Sequence, residues 1–308
     1  MERFIHADRL PAHLRGGVAA LGNFDGFHRG HQAVVGRAIE RARAEGRPAI
    51  VVTFDPHPAR LFRPDLPPFA LTSIPQRLDL FEAFGADAGL VLRFDRNFAA
   101  LTAETFVDEW LVERLGFAGV VTGEDFTFGR GRTGDVAGLA RMSAAHGVAA
   151  EAIAPVGDPD GAIISSTRIR DALKAGDPAA AAALLTRPFT IRGEVAHGDK
   201  VGRTIDFPTA NLLLGDYLRP AYGVYAVRVG LPDGRRVDGV ANVGVRPMFD
   251  PPKELLEVYL FDFAADLYGQ VIDVELYHFL RPEWKLDGLE ALRAQIARDC
   301  EAARKALA

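Results

Sequence analysis

Near the start of the chain, Gly22-Asn23-Phe24-Asp25-Gly26-Phe27-His28-Arg29-Gly30-His31 sets two histidines three residues apart behind two glycines. Apolar Val18–Leu21 precedes the segment and a helical pattern follows it, so the two imidazoles stand at a strand-to-helix turn. Glycine lets a backbone come close to a ligand, and a helix start offers free N–H groups and the positive end of the dipole. Two imidazoles at that point can donate to phosphate oxygens as charge builds up during a transfer. His-x-x-His alone reads more readily as a helix cap; the Gly-x-Phe-Asp-Gly lead-in and the strand-before, helix-after setting reverse that in favour of the phosphate site. A second group lies at Gly193–Arg203, where Gly198 and Gly202 alternate with the cations Lys200 and Arg203 before Phe207-Pro208-Thr209-Ala210-Asn211. A Gly-rich loop can close over phosphates, and the neutral oxygens of Thr209 and Asn211 suit a hard cation such as Mg²⁺. On pattern alone, a long hairpin loop followed by a Pro turn explains the same residues.

The elements that would carry these residues differ between the two halves of the chain. In the first half, Val18–Leu21, Ala49–Phe54, Leu90–Leu92, Gly119–Thr122 and Val148–Ile153 read as strands. Between them fall a helix with Val34, Val35, Ala38, Ile39 and Ala42 on one face and helical stretches at Pro75–Phe84 and Ala103–Leu115. All-apolar strands alternating with helices predict an open α/β sheet with ligands at the carboxyl ends of its strands. After Pro188 the pattern changes. Phe189–Val195, Gly223–Val229, Arg236–Val243, Leu255–Phe261 and Val271–Phe279 are strand-like without intervening helices, which predicts an antiparallel barrel or sandwich. Leu289, Leu292, Ile296, Cys300, Ala303 and Leu307 keep a helical period at the end. Short helices at Ser166–Lys174 and Pro178–Leu185 lead to a boundary near Thr186, giving expected domains of 1–186 and 187–308.

Composition narrows the function classes. The chain has 308 residues, about twice a usual domain. Its net charge of -5 argues against a general nucleic-acid binder, which needs a basic surface, but leaves room for a nucleotide in a local positive pocket. A single cysteine, Cys300, excludes an intramolecular disulfide framework and a multi-Cys zinc site. No apolar run approaches the roughly 20 residues of a membrane span, and Met1–His6 lacks the apolar core of a secretory signal. The expectation is a cytoplasmic protein of open oligomeric state, with neither nucleic acid nor membrane as partner.

Four segments in order resemble the prokaryotic bifunctional riboflavin kinase/FMN adenylyltransferase (FAD synthetase) family. Gly22–His31 looks like the His-x-Gly-His signature of the adenylyltransferases. Thr53-Phe54-Asp55-Pro56-His57-Pro58, Thr122–Gly129 and Ile164-Ser165-Ser166-Thr167-Arg168-Ile169-Arg170 match the family's further signatures. In the second half, Pro208-Thr209-Ala210-Asn211 is similar to the riboflavin kinase signature. Pro220–Ala226, Asn242–Pro247, Leu256–Phe263, Asp266–Gly269 and Leu280-Arg281 follow in order.

The resemblance implies a Rossmann-like open parallel sheet followed by a six-stranded antiparallel β-barrel with a C-terminal helix. It implies riboflavin, FMN and ATP as ligands, with ATP and Mg²⁺ serving both reactions. It further implies that Gly22, Phe24, Asp25, His28 and His31 form the adenylyl site, with Ser165, Ser166, Thr167 and Arg168 on the β- and γ-phosphates. Asp125 would lie near the nucleotide or its metal, and Asp55 would border the flavin. Gly198, Lys200, Gly202 and Arg203 would meet the second ATP, Thr209 and Asn211 would hold its metal, and Glu257 would be the general base. Taken singly, Ser165–Thr167 also reads as a helix cap, Asp55 and Asp125 as turn residues, and Glu257 as the polar member of an alternating strand. Asp206 and Met248 depart from the family pattern, which carries Gly and commonly Thr there; both departures bear on kinase rate and nucleotide affinity. Two other readings compete: a nucleotidyltransferase for another acceptor, against which Pro208–Asn211 argues, and a flavin-binding regulator, against which His28, His31, Thr209 and Glu257 argue.

Overall fold

The computed structural model describes residues 1–196, 207–246, 253–285 and 287–308. Gly198, Lys200, Gly202, Arg203, Asp206 and Met248 lie outside them. The chain forms two compact units, Met1–Pro67 with Ile74–Ile164 and Pro68–Ser73 with Ser165–Ala308.

The first unit is an open sheet of six parallel strands: β1 (Glu2–Ile5), β2 (Val18–Leu21), β3 (Ala49–Asp55), β4 (Ala88–Arg93), β5 (Gly119–Gly123) and β6 (Ala149–Ile153). Their order is β1-β4-β3-β2-β5-β6. The all-apolar strands are buried on both faces. Ala19, Leu21, Ile50 and Val52 pack with Leu111, Leu115 and Leu139 on one side, and Val18, Ala20 and Val51 with Val35, Ile39 and Phe81 on the other. The predicted apolar face of helix α1 (Arg29–Ala44) is the face buried, through Val34, Val35, Ala38, Ile39 and Ala42. Further helices are α2 (Pro58–Phe62), α3 (Ile74–Phe84), α4 (Arg96–Ala99), α5 (Ala103–Thr105) and α6 (Val136–Ala144); a π-helix, Phe106–Arg114, continues α5. Because β3 and β4 lie on one side of β2 and β5 and β6 on the other, the strand order reverses at β2, where such sheets open a crevice for ligands.

The second unit begins its main run with α7 (Ser166–Lys174) and α8 (Pro178–Leu185), which ends on Thr186 in the left-handed conformation at φ 65°. Six antiparallel strands follow: β7 (Phe189–Glu194), β8 (Ala210–Leu213), β9 (Gly223–Gly230), β10 (Arg236–Arg246), β11 (Lys253–Leu260) and β12 (Val271–Pro282). They run in the order β7-β12-β9-β10-β11-β8. Ala196, just past β7, donates its N–H to the Asn211 carbonyl of β8 at 2.8 Å, so the two end strands meet and the sheet is nearly closed into a barrel. Alternation places Phe189, Ile191, Leu212, Tyr225, Ala241, Val243, Leu256 and Val258 in the buried interior. The outer face carries Val224, Ala226, Val240 and Phe261, covered by Ala303 and Leu307 of the final helix α9 (Gly288–Leu307).

Candidate active site

The turn after β2 is shaped by steric demands that its sequence meets. A Cβ on Gly22 would stand 3.0 Å from the Phe24 ring, so glycine lets that ring fold back on the strand end. Phe24, Gly26 and Phe27 all have positive φ (49°, 83° and 44°), a region where bulky L-residues are strained. Burial holds them there. Phe24 and Phe27 are each 2% exposed and meet Phe81 of α3 edge-on, at ring-centroid distances of 5.8 and 5.3 Å.

Asp25 is buried beneath the same turn and pairs with Arg77 of α3, whose Nη2 lies 3.2 Å from Oδ1. Arg77 Nη1 donates to the Asn23 carbonyl at 2.9 Å and to Thr53 Oγ1 at 3.2 Å, while Thr53 Oγ1 donates to the same carbonyl at 2.8 Å. One buried guanidinium therefore ties the turn to β3 and α3. Arg77 belongs to no motif read from the sequence. Its signal is a cation on the apolar stripe of a helix, one turn before Phe81.

His28 caps α1: its Nδ1 accepts the His31 backbone N–H at 3.4 Å. An imidazole whose Nδ1 accepts carries its proton on Nε2, so neutral His28 retains a ring donor. The His28 and His31 rings stack at 3.6 Å between centroids, and Phe24 meets His31 edge-on at 5.4 Å. A Cβ on Gly30 would stand 3.1 Å from His28 Cε1 and 3.6 Å from the Ile164 carbonyl. Bare Gly30 thus makes room for the stacked ring, with the Ile164 carbonyl beside it.

The neighbouring strand ends bring up the other expected residues of this unit. Asp55 closes β3, its peptide bond to Pro56 is cis, and its Oδ2 lies 3.1 Å from His6 Nε2. His6 Nδ1 lies 3.2 Å from Arg93 Nη2 at the end of β4; a guanidinium only donates, so Nδ1 accepts and Nε2–H donates to Asp55. His57 caps α2 by accepting the Ala59 N–H at 3.1 Å. Asp125 follows β5 and bends back over Gly123, where a Cβ would stand 2.8 Å from Asp125 Oδ1. Gly22, Phe24, Asp25, His28, His31 and Asp125 are therefore grouped at the carboxyl ends of adjacent β2 and β5, with Asp55 one strand further. Ser165 caps α7 by accepting the Arg168 N–H at 3.3 Å, so Ser165, Ser166, Thr167 and Arg168 form a helix start within the second unit.

On the barrel, strand register aligns three polar residues. Asn211 of β8 lies opposite Glu257 of β11, and Glu257 lies opposite Asn242 of β10. Directly opposed residues share a face, so all three project to the outside of the barrel. Asn211 is 7% exposed and its Nδ2 donates to the Thr209 carbonyl at 3.3 Å. Phe207 packs edge-on against Tyr259 at 5.2 Å, which fixes the start of this segment beside β11. Cys300 packs in the α9 contact, where burial pushes its thiol up to about 11.

A histidine-bearing helix start at the reversal point of an open parallel sheet, joined in one chain to an antiparallel barrel, is the arrangement of a two-unit protein that handles phosphate groups. Comparison with known proteins gives the family. The FAD synthetase family model matches residues 10–168, and the riboflavin kinase model matches residues 185–307. The bifunctional riboflavin kinase/FMN adenylyltransferase of Escherichia coli (strain K12) is 43% identical over 291 residues, covering 94% of this chain and 92% of that protein. The Pseudomonas fluorescens protein of the same description is 43% identical over 295 residues, covering 96% and 94%. The chain belongs to the bifunctional riboflavin kinase/FMN adenylyltransferase family. A solved structure described as a macrolide-efflux protein from Streptococcus pneumoniae shares the fold at a TM-score of 0.84, with 33% identity over 96% of each chain. Among the described residues of the present chain, no helix is long and apolar enough to cross a membrane.

Proposed function

We infer that the protein makes both flavin cofactors in succession. It phosphorylates riboflavin to FMN with ATP, releasing ADP, and adenylylates FMN to FAD with a second ATP, releasing pyrophosphate. What carries this reading is the tandem placement of two family models, at 10–168 and 185–307. We propose that the two activities divide at Thr186, with domains 1–186 and 187–308. A cytoplasmic location is part of the reading, because both reactions draw on ATP.

In the adenylyl transfer, a phosphate oxygen of FMN attacks the α-phosphorus of ATP in line, and the bond to the bridging oxygen of the leaving pyrophosphate breaks. No covalent intermediate on the protein is needed; the residues position the reactants and neutralise charge. His28, through Nε2–H, and His31 donate to phosphate oxygens at the helix start. Ser165, Ser166, Thr167 and Arg168 hold the β- and γ-phosphates, for which a planar guanidinium is suited. Asp125 stands by the nucleotide or its metal, and Asp55 borders the flavin.

In the kinase reaction, the ribityl 5′-hydroxyl attacks the γ-phosphorus, the β–γ bridge breaks toward ADP, and Glu257 accepts the hydroxyl proton. The donor set suits Mg²⁺: Asn211 turns its Nδ2 toward the Thr209 carbonyl, which leaves its amide oxygen, a hard neutral donor, for a cation beside Thr209. When bound, the ion offsets charge on the phosphates. Gly198, Lys200, Gly202 and Arg203 would bind the same nucleotide.

The test is incubation with riboflavin, ATP and Mg²⁺ followed by separation of FMN, FAD, ADP and pyrophosphate. FAD is the expected end product. FMN as the sole flavin product would remove the second activity, and recovery of riboflavin alone would overturn the reading.

A further inference from the structure

We propose that Glu283 is a positioning residue for the kinase reaction, acting through Asn242 beside Glu257. This rests on the reading of Glu257 as the base. Asn242 Nδ2 donates to Glu283 Oε1 at 3.0 Å, and Asn242 is the residue directly opposite Glu257 across the β10–β11 ladder. Opposed residues of an antiparallel pair have Cα atoms roughly 4.5–5.5 Å apart. With one N–H committed to Glu283, the carboxamide of Asn242 ceases to be a free rotor and keeps one orientation beside Glu257.

Several residues bring the Glu283 carboxylate to this place, although its side chain is exposed and would otherwise extend into water. Gly244 lies two residues after Asn242 on the same face of β10, and a Cβ there would collide with Glu283 Oε1. At the start of β9, Gly223 has φ 149°, and a Cβ there would collide with the Arg281 carbonyl. Gly223 thus lets the end of β12 lie close over β9, and Gly244 leaves room for the Glu283 carboxylate. Arg281 is then clamped to α9: Nε and Nη2 donate to the two carboxylate oxygens of Asp299 at 2.9 and 2.6 Å, and Gln295 Nε2 adds a bond to Asp299 at 2.8 Å. The Arg281 guanidinium also sits over the Trp284 ring, 4.6 Å from its centroid. The backbone on either side of Glu283 is therefore held. A carboxylate so placed is the kind of support that keeps a reacting group near its productive geometry.

The test uses the full chain and measures riboflavin phosphorylation, with FAD formation from supplied FMN as a control of folding. Glu283→Ala is expected to lower kcat for FMN formation about tenfold while the KM for ATP stays unchanged. Glu283→Gln keeps an acceptor oxygen for Asn242 and is expected to lose less than about threefold. The double variant with Asn242→Ala should be no slower than Asn242→Ala alone, because the effect runs through that residue. Wild-type kcat in Glu283→Ala would overturn the proposal. So would additive losses in the double variant, a Gln variant as slow as the Ala variant, or a parallel fall in FAD formation from FMN. If Glu257→Gln turned over like wild type while the Glu283–Asn242 coupling held, the base assignment would fall and the positioning role would stand.

Discussion

His28 accepts a backbone N–H through Nδ1 and stacks on His31, so a single imidazole both ends the turn and, in the proposed mechanism, donates to phosphate at the start of α1. The two jobs predict separable losses. Replacing His28 and His31 by Ala should abolish FAD formation from FMN, since both ring donors go. The loss of the cap should cost about 1 kcal/mol of helix stability and leave the fold intact. Circular dichroism and FMN production from riboflavin, measured on the same variant, check that the loss is local; unchanged adenylyl transfer would end the assignment. Glu257 has the complementary position, on a strand whose inward neighbours Leu256 and Val258 are fully buried. Glu257→Gln keeps the shape and the outer-face position but removes proton acceptance. Riboflavin phosphorylation should fall by about 100-fold or more, with FAD formation from FMN unaltered. Near-wild-type FMN production would refute the base role.

At the scale of elements, α3 matters to the adenylyl site although none of its residues belongs to a signature. Arg77 joins α3, β3 and the turn after β2 through Asp25, Thr53 and the Asn23 carbonyl. Arg77→Met would remove the buried guanidinium shared by Asp25, Thr53 and the Asn23 carbonyl and should destabilise the protein by about 3 kcal/mol in denaturant unfolding. Below the unfolding transition it should slow FAD formation while leaving riboflavin phosphorylation alone, and Arg77→Lys should recover part of both losses. A variant as stable as wild type would show that the pair does not hold the turn. Why Arg77 was silent in the sequence, when His28 was not, is physical. A strand-end glycine turn followed by paired histidines is a local pattern, whereas Arg77 meets Asp25 across more than fifty positions of chain. The same distinction runs through the elements. The buried strands and α1 were legible because burial on two faces, or on one helical face, leaves a local apolar pattern. Strand β1, Glu-Arg-Phe-Ile, was not legible: it is a largely exposed edge whose strand state is set by pairing with β4. The four-residue β8 begins inside the Pro-Thr-Ala-Asn motif with Ala210 and Asn211, and pairing with β11 makes it a strand. The line-up of Asn211, Glu257 and Asn242 is likewise a matter of register, which no single segment carries.

At the scale of the whole molecule, each compact unit has a core of its own, and the two proposed reactions draw on different ATP molecules. FMN is a soluble phosphomonoester, able to leave one active site and be taken up from solution by another. Two inactive full-length variants should therefore complement each other in solution. The Glu257→Gln chain alone should convert FMN, but not riboflavin, to FAD. The His28→Ala/His31→Ala chain alone should stop at FMN. Mixed with riboflavin, ATP and Mg²⁺, the pair should form FAD after a lag that shortens as the concentration of the Glu257→Gln chain rises, because FMN must first accumulate and then be captured. A Glu257→Gln chain that keeps its fold by circular dichroism yet makes no FAD from supplied FMN would mean that FMN reaches the adenylyl site only within the chain that made it.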